Sequence, residues 1–266
     1  MRKLTWCFLW LFWQFLPIVA TAEPSQKFVV VVEDSDNYPF EYRENGRWTG
    51  YHIDIITSIT KKLGWQVEWL AIPWPRAKSA LEKREADAIS YFITTPGKEE
   101  KDLVLLEDNI LHHPVGVFFI QAKRKKELRY TGGGLEPLAK FTIGIIQGDV
   151  TDDFMTRYYP HQKVDKTAKN YEQLFKMLSE NRFDLGLAHV YALRSISRTH
   201  PELSKQLTMI KTPFASSNAY IAFAKTTKGR ENAQKFAKVF EAFKKTSSYF
   251  EITKKYGLES FSITKP

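Results

Sequence analysis

The stretch of chain from residue 50 to residue 98 constrains the fold more than any other, because helix and strand patterns alternate within it. Apolar side chains recur at helical spacing at Ile53, Ile56, Ile59 and Leu63. Gly64 then acts as a stop signal, and residues 66–71 alternate between apolar and polar as a strand does. A second helix is predicted to begin at Pro75, and residues 86–90 resemble another short strand. Helices that alternate with strands indicate an α/β protein whose sheet is parallel in part.

The first 22 residues have the pattern of a secretory signal. Arg2 and Lys3 precede an apolar run over residues 6–19, and small residues follow at positions 20–22. A run of about 14 residues is short for a membrane span, which needs about 20. We therefore expect residues 1–22 to be cleaved and the protein to be exported, with the periplasm of a Gram-negative bacterium as its destination.

The composition excludes several classes of function. Cys7 is the only cysteine and lies inside the predicted signal, so the mature chain has neither a disulfide nor a thiol nucleophile. Removal of Arg2 and Lys3 leaves 37 basic residues of 39 against 30 acidic ones, a net charge of +7. The lysines are spread along the chain without the aromatic and basic pattern of RNA-binding domains, so we expect no nucleic-acid partner. The positive charge is better explained by solvated helix faces than by attraction to anionic ligands or to a membrane surface.

A candidate ligand-binding segment follows the first strand. Residues 28–32 form a β-branched run suited to a buried strand. Acidic and aromatic residues occupy positions 33–40 directly after it, where open α/β sheets bind ligands. Asn45 and Gly46 predict a hairpin turn.

The second half of the chain repeats this architecture. A strand is predicted at 115–121, and the glycines at 132–134 resemble a passage into a second unit. Further strands are predicted at 141–146, 183–188 and 219–224, and helices at 152–159, 170–179, 191–199, 230–244 and 247–256. The two halves together suggest two similar α/β units.

Several motifs, in order and at their spacing, carry a family resemblance. They are Tyr38-Pro39-Phe40, Gly50-Tyr51-His52-Ile53-Asp54-Ile55, Lys62-Leu63-Gly64, Trp74, Ala86-Asp87-Ala88-Ile89 and Thr95-Pro96-Gly97-Lys98, supported by residues 143–148 and 182–186. Together they resemble the periplasmic solute-binding proteins of family 3, the amino-acid type that serves ABC importers. The similarity covers nearly all of the mature chain.

This resemblance implies the type II periplasmic binding protein fold. Lobe 1 would be discontinuous, comprising residues 27–113 and 218–266, and lobe 2 would comprise residues 114–217. Each lobe would be a mixed, mostly parallel sheet flanked by helices, and two crossing hinge strands would connect them. A small-molecule ligand would bind in the cleft and close the hinge, without catalysis and without a cofactor. The implied partner is an ABC permease or a membrane sensor, and a monomer is expected.

The resemblance also implies aromatic and hydroxyl contacts with the ligand. Trp74 matches an aromatic residue that flanks the ligand in relatives, and Tyr38 and Phe40 would share that mouth of the cleft. For all three, ordinary packing within the lobe is the alternative. Thr94 and Thr95 would donate hydrogen bonds to a carboxylate.

Both charged anchors of the family are altered in this chain. Lys98 stands where the family has an arginine that grips the ligand carboxylate, and lysine lacks the planar fork. Arg76 would supply that fork unless it is an exposed helix residue. His189 stands where an acidic residue usually binds the α-ammonium group, and Val150, followed by Thr151, stands where a threonine is expected. These departures put a standard L-α-amino acid in doubt as the ligand.

Two other classes of site are not supported by the pattern. The adjacent rings of His112 and His113 would point to opposite sides of an extended segment, which favours a crossing-strand role over metal binding. The glycines at 132–134 lack the lysine and helix of a phosphate-binding loop.

Two alternative functions stay open. The same fold family includes cyclohexadienyl dehydratase, which would need a cleft acid such as Glu33, Asp34 or Asp36. An orphan receptor domain that signals through a partner is the other alternative.

Overall fold

The computed structural model describes residues 26–95 and 100–258. The predicted signal and Lys98 lie outside these residues. The described strands, labelled β1 to β14, are Gln26–Glu33, Tyr42–Glu44, Arg47–Thr49, Trp65–Ile72, Ala88–Ile93, Leu103–Val104, Ile110–His112, Val115–Gln121, Ile143–Ile146, Val164–Ala168, Leu185–His189, Leu207–Met209, Ala215–Ser216 and Ala219–Ala224. The described α-helices, labelled α1 to α8, are Tyr51–Lys62, Ala77–Glu82, Val150–Tyr158, Tyr171–Ser179, Ala192–Thr199, Pro201–Lys205, Thr227–Phe243 and Ser247–Lys255. Short 3-10 helices lie at Trp74–Arg76, Glu107–Asn109, Ala122–Glu127 and Glu136–Leu138.

The first sheet draws strands from both ends of the described chain. Its order is β4-β1-β5-β14-β6, and β7 also pairs with β14. Strands β4, β1 and β5 are parallel, whereas β14 is antiparallel to its neighbours. Phe28, Val30, Val31 and Val32 of β1 and every residue of β14 are buried, as expected of strands covered on both faces.

The second sheet has the same plan, built from a continuous part of the chain. Its order is β10-β9-β11-β8-β12, and β13 also pairs with β8. Strands β10, β9 and β11 are parallel, and β8 is antiparallel to its partners. We call the first sheet with its helices lobe 1 and the second sheet with its helices lobe 2. The two lobes confirm the predicted two-lobe α/β fold.

Amphipathic helices cover the first sheet for reasons that are visible in the sequence. In α1, Ile55, Ile56 and Ile59 are fully buried, and Gly64 ends the helix region with a φ of 71°. In α7, Phe236 is buried and its ring lies 5.9 Å from that of Phe223 in β14. Full burial of each such side chain stabilises the fold by about 1.5–3 kcal/mol.

The two segments that cross between the sheets lie side by side. The chain leaves lobe 1 after β7 and returns just before β14. The His113 Nδ1 atom lies 2.8 Å from the Asn218 side-chain oxygen, and the Ser217 backbone N–H donates to the Pro114 carbonyl at 3.1 Å. Each crossing segment is therefore hydrogen-bonded to the other.

Candidate functional site

Phe40 lies where the two lobes meet. It is 3% exposed and stacks on His52 and His112, with ring centroids 5.0 and 4.2 Å away. From lobe 2, His189 and Tyr191 meet it at steep interplanar angles, with centroids 5.8 and 5.5 Å away. The predicted ligand contact at Phe40 thus falls on a buried ring that touches both lobes.

The start of α1 positions the loop that carries Phe40. The backbone N–H groups of Tyr51 and His52 donate to the carbonyls of Pro39 and Phe40 at 2.9 and 3.1 Å. Gly50 has a φ of 129°, and a Cβ atom there would lie 2.2 Å from the Phe40 carbonyl oxygen. Only glycine permits this close approach, so the glycine that opens the helix also fixes the cleft loop.

Tyr38 contacts lobe 2 through two arginines of α5. The guanidinium carbons of Arg198 and Arg194 lie 4.3 and 5.3 Å from the centre of its ring. Arg198 also lies 4.4 Å from the ring of Tyr42, and Arg194 donates to the Tyr256 carbonyl at 3.0 Å. These cation–π and hydrogen-bond contacts hold the lobes together on this side of the cleft.

A buried chain of polar groups extends behind Phe40. The Nδ1 atom of His52 lies 3.1 Å from Oε1 of Glu41, and its Nε2 atom lies 3.0 Å from Nδ1 of His112. Exposure of the three side chains is 0–7%. Burial, together with neighbouring histidines, lowers the pKa of His112 well below its ordinary value, so this ring is neutral at pH 7. The Oε2 atom of Glu41 is buried and has no hydrogen-bond partner among the described residues.

This series of hydrogen-bonded side chains was not predicted, because its members are far apart in the sequence. The two histidines are separated by 60 residues, and only the fold brings them together. For His112 and His113, a role in a crossing strand was predicted in preference to metal binding. His112 points to His52 and His113 meets Asn218. Within residues 26–95 and 100–258, no group of three or more histidine, cysteine, aspartate or glutamate residues is arranged to hold a metal ion.

Trp74 forms part of an aromatic stack in lobe 1. Its ring lies 5.5 Å from Tyr91 and 5.9 Å from Phe92, both nearly parallel to it. The Tyr91 hydroxyl accepts a hydrogen bond from Asn37 at 3.1 Å, while the buried Oδ1 of Asn37 has no partner among the described residues. Arg76 is exposed on the 3-10 turn. The position of Arg76 thus matches the predicted alternative, an exposed arginine. Trp74, in contrast, is half-buried beside Tyr91.

The predicted hydroxyl donors follow β5. Thr95 is 4% exposed and Thr94 is half-buried. Ser90, within β5, is fully buried, and its hydroxyl has no partner in the described part of the chain. Lys98, which would complete this segment, is outside the described residues.

Asp149 caps the first helix of lobe 2. Its carboxylate accepts from the Val150 backbone N–H at 2.5 Å and from the Thr151 hydroxyl at 3.4 Å. Burial raises the pKa of Asp149 above its ordinary value. Val150 and Thr151 are half-buried beside it. Asp149 was not predicted as a site residue, although an aspartate after the Gly148 turn and before a helix is a capping signal.

Glu33 is a second acid at the cleft, at the end of β1. Burial raises its pKa to about 7, and the charges of Glu41 and Asp149 contribute in the same direction. Among the described residues, neither Glu33 nor Asp149 takes part in an ion pair. The cleft therefore contains carboxyl groups from both lobes that have no ion-pair partner among the described residues.

His189 ends β11 and faces the cleft beside two aromatic rings. Its Nδ1 atom accepts a hydrogen bond from the Tyr191 backbone N–H at 3.2 Å. The ring of Tyr171 meets it at 4.9 Å and 89°. Burial lowers the pKa of His189 to about 4, so it is neutral at pH 7. The Nδ1 lone pair is therefore already used by the protein backbone.

The structure thus brings some of the predicted site residues together and separates others. Phe40 and His189 are in contact across the cleft, and Trp74 is connected to them through Tyr91 and His52. Arg76 stays outside this group on the surface. The assembled group combines aromatic walls with carboxyl, amide and imidazole groups, which suits binding of a small polar molecule.

None of the helices in the described part of the chain combines the length and the apolar character needed to cross a membrane.

Similar folds and sequences occur among amino-acid-binding proteins. The probable amino-acid-binding protein YxeM of Bacillus subtilis is 18% identical over 85% of this chain and 83% of its own. The arginine-binding extracellular protein ArtP of the same species is 20% identical over 88% of both chains. Among solved structures, a histidine kinase sensor domain with similarity to periplasmic binding proteins matches with a TM-score of 0.72 and 18% identity, over 87% of this chain and 96% of that one.

The match to a family model covers most of the chain. The model for bacterial extracellular solute-binding proteins, family 3, matches residues 29–259, which include nearly all of both lobes and every residue of the site described above. The expectation drawn from the motifs is confirmed: the chain belongs to the bacterial extracellular solute-binding proteins of family 3.

Proposed function

We propose that this protein captures a small polar or carboxylate-bearing solute, an amino acid or a related metabolite, and delivers it to an ABC importer. The solute binds between lobe 1, residues 27–113 and 218–266, and lobe 2, residues 114–217. The protein acts in the periplasm of a Gram-negative bacterium after cleavage of residues 1–22, as a monomer and without catalysis.

One observation carries this proposal: buried polar atoms without a partner in the described chain come from both lobes. Lobe 1 contributes Oδ1 of Asn37, Oε2 of Glu41 and Oγ of Ser90, and lobe 2 contributes Nε2 of His189. An unsatisfied buried polar group costs about 1–3 kcal/mol. A polar solute that reaches several of these atoms recovers that free energy only when both lobes close on it, which couples binding to closure.

The proposal is tested with the mature protein, unfolded to strip ligand and then refolded. Its melting temperature is measured with amino acids, polyamines, organic acids, aromatic acids and short peptides. A solute at 100 times its dissociation constant stabilises the native state by about 2.7 kcal/mol, which is a measurable rise. The Trp74→Ala variant should lose the rise. The control is Phe250→Ala, which removes an aromatic side chain that is 49% exposed on α8. A solute that shifts both variants equally would show that it binds elsewhere.

Glu33 favours one alternative, a dehydratase resembling cyclohexadienyl dehydratase. A carboxyl group with a pKa of about 7 is suited to proton transfer at neutral pH. Formation of product from prephenate or arogenate by the wild-type protein, lost in Glu33→Gln, would support this activity. Absence of product at saturating substrate would leave the binding function.

A further inference from the structure

The hydrogen bond between His189 and Tyr191 defines which nitrogen of the imidazole carries the proton. A backbone N–H can only donate, so Nδ1, 3.2 Å from the Tyr191 nitrogen, must offer its lone pair. A neutral imidazole has one protonated nitrogen. Its proton is therefore on Nε2, and this atom is a hydrogen-bond donor.

That donor is buried and has no acceptor in the described part of the chain. The Nε2 atom is inaccessible to solvent and has no hydrogen-bond partner there. The rings of Tyr171 and Phe40 flank the imidazole at 4.9 and 5.8 Å, both at steep angles. They restrict rotation that would exchange the two nitrogens. The unpaired N–H therefore belongs to a ring that packs against Phe40 of lobe 1, where the two lobes meet.

We propose that His189 donates its Nε2–H to an acceptor oxygen of the bound solute, and so selects a carboxylate or carbonyl group at this position and disfavours an ammonium group. This inference rests on the proposed function. It reverses the polarity implied by the family resemblance, in which an acidic residue at this position holds an ammonium group.

The acceptors on the opposite side of the cleft agree with this orientation. In lobe 1, Oδ1 of Asn37 and Oε2 of Glu41 are buried acceptors without partners among the described residues. Glu33 adds a carboxyl group that is in no described ion pair. A solute with an oxygen toward His189 and an N–H group toward lobe 1 would satisfy both sides.

The first test reads the tautomer directly. Long-range proton–nitrogen NMR spectra of the full mature protein, with histidine labelled by nitrogen-15, should show His189 with a protonated Nε2. The His189→Gln variant assigns the signal. A proton on Nδ1 would overturn the inference regardless of what binds.

The second test compares solutes that differ only in one end group. The probes are L-arginine, agmatine and 5-guanidinopentanoate, and L-glutamate, 4-aminobutyrate and glutarate, titrated by calorimetry. In at least one of these sets, the form without the α-amine should bind within a few-fold of the parent. The form without the α-carboxylate should bind about 10-fold or more weakly.

Three substitutions at one position separate polarity from packing. His189→Gln keeps an N–H donor at a similar reach, and we expect it to bind within a few-fold of wild type. His189→Glu and His189→Leu remove the donor, and both should lose about 10-fold or more for carboxylate probes. The melting temperature of each variant checks that it folds.

The outcomes distinguish this inference from the proposed function. If only the amines without an α-carboxylate bind, or if His189→Glu tightens binding of the parent amino acid, the inference is wrong and the binding function stands. If neither these probes nor any solute of the thermal panel binds to the wild-type protein, the result counts against the proposed function and against this inference with it.

Discussion

Replacement of Glu33 by glutamine should stabilise the protein at alkaline pH and leave it unchanged at acid pH. The folded state raises the pKa of this carboxyl group from 4.5 to about 7, mainly through burial. Between these values the folded state holds a proton that the unfolded state releases. Stability therefore falls as the pH rises from about 4.5 to 7, and above pH 7 the full penalty is present.

The size of the effect follows from the shift. Each pKa unit corresponds to about 1.36 kcal/mol, so the shift from 4.5 to about 7 gives at most about 3.4 kcal/mol. Because Glu33 keeps some contact with solvent, we expect about 2–3 kcal/mol. Glutamine resembles the protonated acid, so Glu33→Gln should be more stable than wild type by this amount at pH 8 and equal to it at pH 4. In a chain of this size the gain is roughly 5–10 °C in melting temperature.

The difference between variant and wild type is the informative quantity, because other groups titrate in the same range. His189 has a pKa lowered from 6.5 to about 4, so the folded protein loses stability as the pH falls through that window. This trend opposes that of Glu33 and partly conceals it in the wild-type profile. Subtracting the wild-type profile of stability against pH from that of Glu33→Gln isolates the contribution of Glu33.

The assay is urea denaturation of both proteins without ligand, at intervals from pH 4 to pH 8. Glu231→Gln, an exposed substitution on α7, is the matched control and should change stability by less than about 0.5 kcal/mol at every pH. A Glu33→Gln difference that stays constant across the range would refute the assignment of a raised pKa to this carboxyl group.

Two further substitutions test the packing that positions the site. Phe40→Ala should reduce the free energy of unfolding by about 3–5 kcal/mol in urea denaturation, because it removes a buried ring that contacts both lobes; a loss below 1 kcal/mol would argue against its role in joining them. Gly144→Ala in β9 should destabilise by about 1–3 kcal/mol, measured in the same way, because its Cβ would lie 2.3 Å from the Phe183 ring. Recovery in the double variant with Phe183→Leu is expected, and its absence would assign the loss to the backbone instead.

Much of the fold was predictable because its signals are local. The strand at residues 115–121 and the strand at 219–224 have the predicted bounds, and the Asn45-Gly46 turn joins β2 to β3. Strand β10 was missed. Its residues Val164–Ala168 include exposed polar side chains at the edge of a sheet, where neither alternation nor a buried run marks a strand.

The site was less predictable because its chemistry depends on contacts between distant segments. The motif that contains His52 indicates a helix, yet its bonds to Glu41 and His112 follow only from the packing of α1 against β7 and the cleft loop. Likewise, His189 was identified by position, but its donor character depends on the Tyr191 backbone. A sequence pattern predicts a residue type at a place, whereas the protonated atom depends on its neighbours.

The second sheet is built from one continuous segment of the chain and the first from two separate segments, so the two sheets are expected to form at different times during folding. Every strand of the second sheet lies between residues 115 and 216, so lobe 2 can form as soon as that continuous segment is available. The first sheet requires β14, which occupies a position between β5 and β6 and follows all of lobe 2 in the chain. Long-range pairing of this kind is slow, because a large loop must close before the contacts form. We therefore expect a chain that emerges N-terminus first to complete lobe 2 while the first sheet still has an open edge at β5, unpaired until β14 arrives.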